Sequence, residues 1–507
     1  MAQMCLKSLA FPEMQTRSYD IDGAVTGTCE WLHQHEAYQS WAASDRGLLW
    51  IKGKPGSGKS TLVKYALDNH EARSSALVLS FFFHGRGDEL QRTPLGFFRS
   101  LLHQALRQTP DALQDLVDVF QTKNKQYGNL GEGWHWHEAE LRPFLESFLR
   151  KVVSKAYSVW LFVDALDECG KDNAVKLVRI FQSLLQRLSS QSTGPGQLRI
   201  CFSCRHYPIL DLDEGGFEIC AEAENEKDIA TFVNSQLTAF RMQSSTIPAL
   251  ITERASGVFM WARLVVEQVL NLDREGVGPK KIQAAVHCIP PDLDALYRQL
   301  IQSMRSDSLK LVQWICFAIR PLTLDELRWA MVIEGDCPYQ SLEACRDDED
   351  YVSDNRRMKR QVQTLSRGLA EVNQTEHIQF IHQSVKDFFL EKGLPALDGS
   401  IITSTEAALR AHFRLAKICI RYFAMEDVPQ VVLSHQQTED EPLNVPFLHY
   451  AARFWIAHVR QCDDTSIPQE DILALFAWPS DALVETWLHL TKSWKILQVP
   501  GWFANKG

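Results

Sequence analysis

Nine consecutive residues, Gly53-Lys54-Pro55-Gly56-Ser57-Gly58-Lys59-Ser60-Thr61, carry the spacing G-x-x-x-x-G-K-[ST]. Glycine-rich backbone of this kind turns successive N–H groups onto phosphate oxygens, and a helix starting at its end adds a favourable dipole. Lys59 then reaches the β- and γ-phosphates and the Ser60 hydroxyl ligates Mg2+. Gly53, Pro55, Gly56, Ser57, Gly58 and Thr61 complete the cradle. Chance alone produces the pattern in roughly one or two chains per hundred of this length, so the flanks decide. Leu48-Leu49-Trp50-Ile51 reads as a strand just before it, and Leu62–Leu67 as a helix just after.

Two further segments supply charge. Val159-Trp160-Leu161-Phe162-Val163-Asp164 is an apolar strand ending in a carboxylate, placed to hold the metal through its water shell. Asp167 and Glu168 follow a tight turn at Ala165, where one of them can position an attacking water. Arg199–Arg205 is another strand, ending in a cation able to sense a γ-phosphate through a charge-assisted contact. Three more clusters read as structure. Cys201 and Cys204 face opposite ways on a strand and are core thiols. Trp134-His135-Trp136-His137-Glu138 lacks matching metal ligands and is a loop. Arg356-Arg357-Met358-Lys359-Arg360, beside an acidic run, is a solvated face.

These residues need a scaffold. Apolar runs at Leu48–Lys52, Leu77–Phe83, Val159–Asp164, Arg199–Ser203 and Phe217–Cys220 alternate with helix-length amphipathic segments. That pattern predicts an α/β fold, a five-stranded parallel sheet with helices on both faces. The expected organisation is a lead-in over 1–40 holding a short helix, a nucleotide-binding domain over 41–223, and a helical domain over 224–305 broken at Pro290-Pro291. A winged-helix domain follows over 306–395, with a capping box at Thr323 and Glu326 and a strand at His377–Ile381. A second helical domain covers 396–507, with Leu409, Phe413, Leu415 and Ile418 on one stripe. Loops are expected at Gly194-Pro195-Gly196, Asp347–Asp350 and Thr438–Pro446, and Leu448–Ala452 reads as an ordinary helix face.

At 507 residues the chain holds about three or four domains. Its net charge of −10 argues against a nucleic-acid partner, which calls for a basic surplus. No run approaches the roughly 18 apolar residues of a membrane span, and Met1–Phe11 has no cleavage site of a signal peptide. The 12 cysteines are too sparse for a disulfide scaffold and fit a reducing, cytoplasmic location.

The chain resembles the NACHT NTPases of the STAND class, especially large fungal NOD-like receptors of the vegetative-incompatibility type with a nephrocystin-3-like N-terminal core. The resemblance rests on Gly27-Thr28-Cys29-Glu30-Trp31-Leu32, on Leu49–Thr61, on Asp164-Ala165-Leu166-Asp167-Glu168-Cys169, and on Phe380-Ile381-His382-Gln383-Ser384-Val385-Lys386-Asp387-Phe388-Phe389. It implies that His382 bonds the β-phosphate of ADP and locks a closed state. It also implies ATP or ADP as the nucleotide, GTP not being excluded although no N-K-x-D run exists, with slow hydrolysis serving a switch. ADP holds a closed form; ATP opens it to self-associate. Two features depart from the family. Ser256-Gly257-Val258-Phe259-Met260-Trp261 has no proline where related receptors carry Gly-x-Pro near the base. Effector and sensor regions are not recognisable, so unknown effector or sensor proteins are the expected partners.

Overall fold

In the computed structural model, placement is described for residues 2–71, 76–109, 113–128, 130–131, 133–191, 196–207, 216–238, 246–302, 304, 306–373, 375–399, 403–428 and 445–462. The expected loops at 194–195 and 438–444, and positions 463–507 of the second helical domain, lie outside them.

Five apolar runs form one parallel sheet: β1 (Arg46–Lys52), β2 (Leu77–Phe82), β3 (Ser158–Asp164), β4 (Gln197–Cys204) and β5 (Phe217–Cys220). Their order is β2-β3-β4-β1-β5. The inner strands β1, β3 and β4 are buried almost throughout, while the outer strands β2 and β5 alternate with partly exposed residues. That is the expected difference between a strand covered on two faces and one at an edge. Side chains alternate across the sheet. Leu48 and Trp50 enter one core with Leu161, Val163, Ile200 and Phe202, whereas Leu49 and Ile51 enter the other with Phe162, Cys201 and Ile219.

Helices cover both faces. The Leu49 side is closed by α3 (Glu36–Ala43) through Tyr38 and Trp41, and by α4 (Lys59–Glu71) through Leu62, Val63 and Ala66. The Trp50 side is closed by α1 (Ala2–Leu9), α5 (Pro94–Gln108), α6 (Gln114–Tyr127), α7 (Glu138–Ser154) and α8 (Lys171–Gln191). The short α2 (Thr16–Asp20) precedes α3. The first residues are thus more than a lead-in. Cys5 and Leu9 of α1 are fully buried, and Arg99 donates to the carbonyls of Ser8, Leu9 and Ala10, capping the end of α1. Trp134 and Trp136 are buried, Trp136 Nε1 donates to Ser8 Oγ at 3.1 Å, and His137 caps α7 in a capping box with Glu140. The Trp-His repeat therefore anchors helices.

The same compact unit, Met1–Leu296, continues through α9 (Ala221–Glu224), α10 (Glu226–Leu237), α11 (Ile247–Ala255), α12 (Phe259–Arg274) and α13 (Pro279–Cys288). The Pro290 break is held by its carbonyl, which accepts from Trp261 Nε1 at 2.6 Å.

After α14 (Leu293–Ile301), the second unit, Tyr297–Gly507, contains α15 (Ser306–Phe317), α16 (Leu324–Val332), α17 (Leu342–Arg346), α18 (Asn355–Leu365) and the antiparallel pair β6 (Ala370–Val372) and β7 (Ile378–Phe380). Thr323 and Glu326 form the capping box, and residues 322–324 bond alongside β7: Leu324 N–H donates to Glu376 O and Ile378 N–H to Leu322 O. This is a winged helix. Arg356, Arg357, Lys359 and Arg360 of α18 are exposed while Met358 and Val362 are buried, so the basic run is a solvated face. After α19 (Gln383–Phe388) and α20 (Leu394–Asp398) come α21 (Ser404–Phe423) and α22 (Leu448–Arg460), packed on each other. The buried stripe of α21 runs through Ala407, Ala411, Leu415, Ile418 and Tyr422, whereas Leu409 and Phe413 are only half-buried. Small residues sit where a neighbouring helix approaches closely. Weighting a stripe by bulk misses that.

Candidate functional site

The chain leaves β1 at Lys52, crosses the phosphate loop and enters α4 at Lys59. Because β1 lies between β4 and β5, successive connections depart in opposite directions there and open a crevice at the C-terminal ends of the strands. Gly56 and Gly58 have φ of +75° and +90°, the left-handed region that side chains avoid. A Cβ on Gly56 would also lie 2.6 Å from Met260 Cβ, so α12 presses directly on the loop. The Met260 N–H donates to Gly56 O at 3.0 Å. Asn225, buried between α9 and α10, donates from Nδ2 to Ser57 O at 2.8 Å and Gly257 O at 2.9 Å. The loop is braced from the helical segment on two carbonyls.

Lys59 Nζ donates to Gly53 O at 2.9 Å and Lys54 O at 2.8 Å, spanning the loop from within. Burial lowers its pKa, opposed by Asp167 and Asp164. Ser60 and Thr61 follow in the first turn of α4, and Pro55 lies in the loop itself. Ser57 Oγ is buried and makes no hydrogen bond.

Asp164 is fully buried at the end of β3. Its Oδ1 accepts from Ser203 Oγ at 2.5 Å, and its Oδ2 has no partner. Burial raises its pKa, opposed by the Ser203 bond, by Arg17, by the Ser60 hydroxyl and by Lys59. The next residue, Ala165, takes the left-handed conformation (φ 51°), which is strained for a residue with a Cβ. Its N–H also donates to Ser203 Oγ, at 2.8 Å, so one hydroxyl ties β4 to the turn.

Beyond the turn, the two acids take different partners. Asp167 accepts from the Arg205 backbone N–H at 3.2 Å and pairs with Arg205 Nε at 2.7 Å. Glu168 accepts from the Gly85 N–H at 2.5 Å; burial raises its pKa, with Arg17 and Arg86 acting in the opposite sense. Asp164, Asp167, Lys59 and Arg205 thus share one electrostatic neighbourhood. His382 belongs to the second unit. It caps α19, and its Nδ1 accepts from the Ser384 N–H at 3.0 Å. The neutral ring accordingly carries its proton on Nε2.

Several residues in this neighbourhood carry no motif. Arg17 comes from α2, Ser203 precedes the expected cation by two residues, and Asn225 stands between two helices. Glu222 of α9 accepts from the Lys54 N–H at 3.1 Å and bonds His206 Nε2 at 2.6 Å. Burial pushes Glu222 up, yet the hydrogen bonds from His206 and Lys54 hold it below its ordinary value. Only tertiary structure assembles these four.

Residues 27–205 match the family described as Nephrocystin 3, N-terminal, and residues 297–398 the GPI inositol-deacylase winged helix domain. The vegetative incompatibility protein HET-E-1 of Podospora anserina is 24% identical over 76% of this chain and 28% of its own length. The azaphilone pigments biosynthesis cluster protein L of Monascus ruber is 22% identical over 40% of this chain and 42% of its own. The chain thus spans less than half the length of either curated relative. Among solved structures, the Aeropyrum pernix ORC2 protein (ADPNP-ADP complexes) has 12% identity and a TM-score of 0.30, covering 71% of this chain and 92% of that one. The Drosophila ORC bound to DNA has 12% identity and a TM-score of 0.32, covering 75% and 92%. With the phosphate loop following the first strand of a five-stranded parallel sheet, residues 27–205 have the fold of a NACHT-like P-loop NTPase domain, and a winged-helix domain follows over 297–398.

Proposed function

We propose that the chain is a nucleotide-dependent switch, closed with ADP and open to self-association with ATP. The observation that carries this reading is the buried Asp164 carboxylate, with Oδ2 unpartnered beside Lys59 and Ser60. An uncompensated buried polar atom costs about 1–3 kcal/mol, and a hard cation relieves it. Asp164 and Ser60 are oxygen donors that fit Mg2+, directly or through water. When bound, the ion screens phosphate charge. The loop N–H groups, the unpaired Ser57 hydroxyl and Lys59 bind the phosphates. Asp167 and Glu168 orient water for slow hydrolysis, and Arg205 responds to the γ-phosphate by exchanging its contact with Asp167. The brace from Asn225 and Met260 supports a coupling between loop conformation and the helical segment.

His382 is the proposed lock. A donor on Nε2 suits a phosphate oxygen, and a hydrogen bond to a charged acceptor is worth roughly 1.5–3 kcal/mol, or about 10- to 150-fold in a two-state balance. The test compares ADP dissociation and sedimentation for the full chain and His382→Leu. Faster ADP release with more self-association is expected in the variant. Equal off-rates with equal monomer content would remove His382 from the mechanism, and turnover of many ATP per second by the unaltered chain would favour a motor over a switch. Effector or sensor proteins are the partners this reading calls for.

A further inference from the structure

Three side chains of metal-binding type converge at the rim of the phosphate loop. His206 lies just beyond β4, Cys220 ends β5, and Glu222 belongs to α9. One ligand atom from each lies within 4.8 Å of the others, and among the described residues no other such trio forms. Strands β4 and β5 flank β1, so the three ligands straddle the end of the strand that launches the loop. Glu222 is held in place from the loop side by the Lys54 N–H, and His206 Nε2 meets its other oxygen at 2.6 Å. Gly53 makes room: a Cβ there would stand 2.5 Å from Glu222 Oε2.

We propose that His206, Cys220 and Glu222 bind a single divalent cation of the zinc class. Thiolate, imidazole and carboxylate are each zinc ligands, at about 2.0–2.3 Å. Around a tetrahedral ion, donors at those lengths stand roughly 3.3–3.8 Å apart, which small side-chain rotations reach from the present cluster. Three protein ligands leave the fourth position to water, and His206 is half exposed, so the ion has an entry path. Magnesium and calcium prefer oxygen-only shells and do not suit this trio. Binding converts the Cys220 thiol to a thiolate and releases one proton to solvent. Since the same carboxylate grips Lys54, occupancy would fix one wall of the phosphate loop. The site itself requires no nucleotide.

The test titrates the reduced, metal-stripped full-length chain with cobalt(II) chloride, a spectroscopic stand-in for zinc, without nucleotide. The expected result is one cobalt per chain with a thiolate-to-metal charge-transfer band that zinc chloride abolishes. Cys220→Ser should lose the band. His206→Ala should weaken cobalt binding by at least the roughly 10- to 100-fold that even an outer-shell change costs. Cys288→Ser, at an exposed cysteine elsewhere, should change nothing. A chain that gives no thiolate band, or whose band is equally strong in Cys220→Ser and His206→Ala, overturns the site. Should the serine variant not fold, His206→Ala at its exposed position carries the same decision.

Discussion

Around the phosphate loop, Asp164 Oδ2, Ser57 Oγ and Asn225 Oδ1 are buried and make no hydrogen bond. In the second unit, the equally buried His458 uses both ring nitrogens: Nδ1 meets His412 Nδ1 at 2.9 Å and Nε2 meets Tyr450 Oη at 3.0 Å. Tyr450 Oη in turn accepts from the Ile319 N–H at 2.9 Å. Lys310 Nζ, also buried, donates to Met331 O, Ile333 O and Glu334 Oε1 at 2.7–2.9 Å, and burial brings its pKa down to about 8 against the pull of Glu334. Partnered polar atoms specify a packing arrangement; unpartnered ones hold free energy that a ligand can release.

The largest effect expected from that contrast is at Asp164. Asp164→Asn should remove the Mg2+-dependent part of ATP affinity, about 2–3 kcal/mol or 30- to 150-fold by isothermal titration, without unfolding the chain. The pH dependence has a definite sign. Burial raises the folded-state pKa, so between the ordinary carboxylate value and the raised one the native protein holds a proton that the unfolded chain has released. The associated stability is present below the ordinary carboxylate range and is lost as pH rises through the raised value. Between the ordinary carboxylate value and the raised one, the ligand-free protein should therefore lose stability as pH rises, and Asp164→Asn should flatten that slope. Equal slopes in denaturant titrations of both proteins would show that Asp164 is satisfied after all.

The paired network should respond in the opposite sense. Burial lowers His412 to about 4 and His458 to about 3, the latter also repelled by His412. Below about pH 6.5 the unfolded chain takes up protons that the folded one refuses, so stability falls with pH toward those values, by up to about 1.4 kcal/mol per pH unit for each histidine. His458→Leu strands its two partners and should cost about 2–4 kcal/mol at neutral pH. It also removes one acid-labile group, so its deficit should narrow between about pH 6.5 and 4.5. Denaturant midpoints across that range check this; a constant deficit would mean that His458 is not neutral in the native state.

Legibility in the sequence divides along the same line. The strands were readable because burial on both faces demands continuous apolar runs, and Asp164 stood out as a charge ending one of them. The loop carried its own spacing. Arg17, Ser203, Glu222 and Asn225 were not readable, because each matters only through what the fold brings beside it. Helix α1 hides for a related reason: AQMCLKSL buries only Cys5, Ser8 and Leu9, a stripe too narrow to announce a core helix. In α21 the alanines that admit α22 looked less hydrophobic than the half-buried Leu409 and Phe413.

The smallest predicted effect lies where the two regimes meet. Asn225 satisfies two carbonyls, Ser57 O in the loop and Gly257 O before α12, while its own Oδ1 stays unpaired. The amide orientation follows from chemistry, since two acceptors require the NH2 group to face both. Asn225→Ala removes two hydrogen bonds and bares two buried acceptors, but it also removes one unpaired oxygen and leaves room for a water. The net loss of stability should be about 1–2 kcal/mol. The informative readout is nucleotide affinity. A brace that merely supports the fold predicts unchanged affinity once the protein is folded. A brace that pre-organises the phosphate cradle predicts roughly three- to tenfold weaker ATP and ADP binding, because the loop must then be ordered by the ligand itself. Equal affinities with a lowered midpoint would assign Asn225 to the core; weaker binding in a chain that is fully folded would assign it to the site.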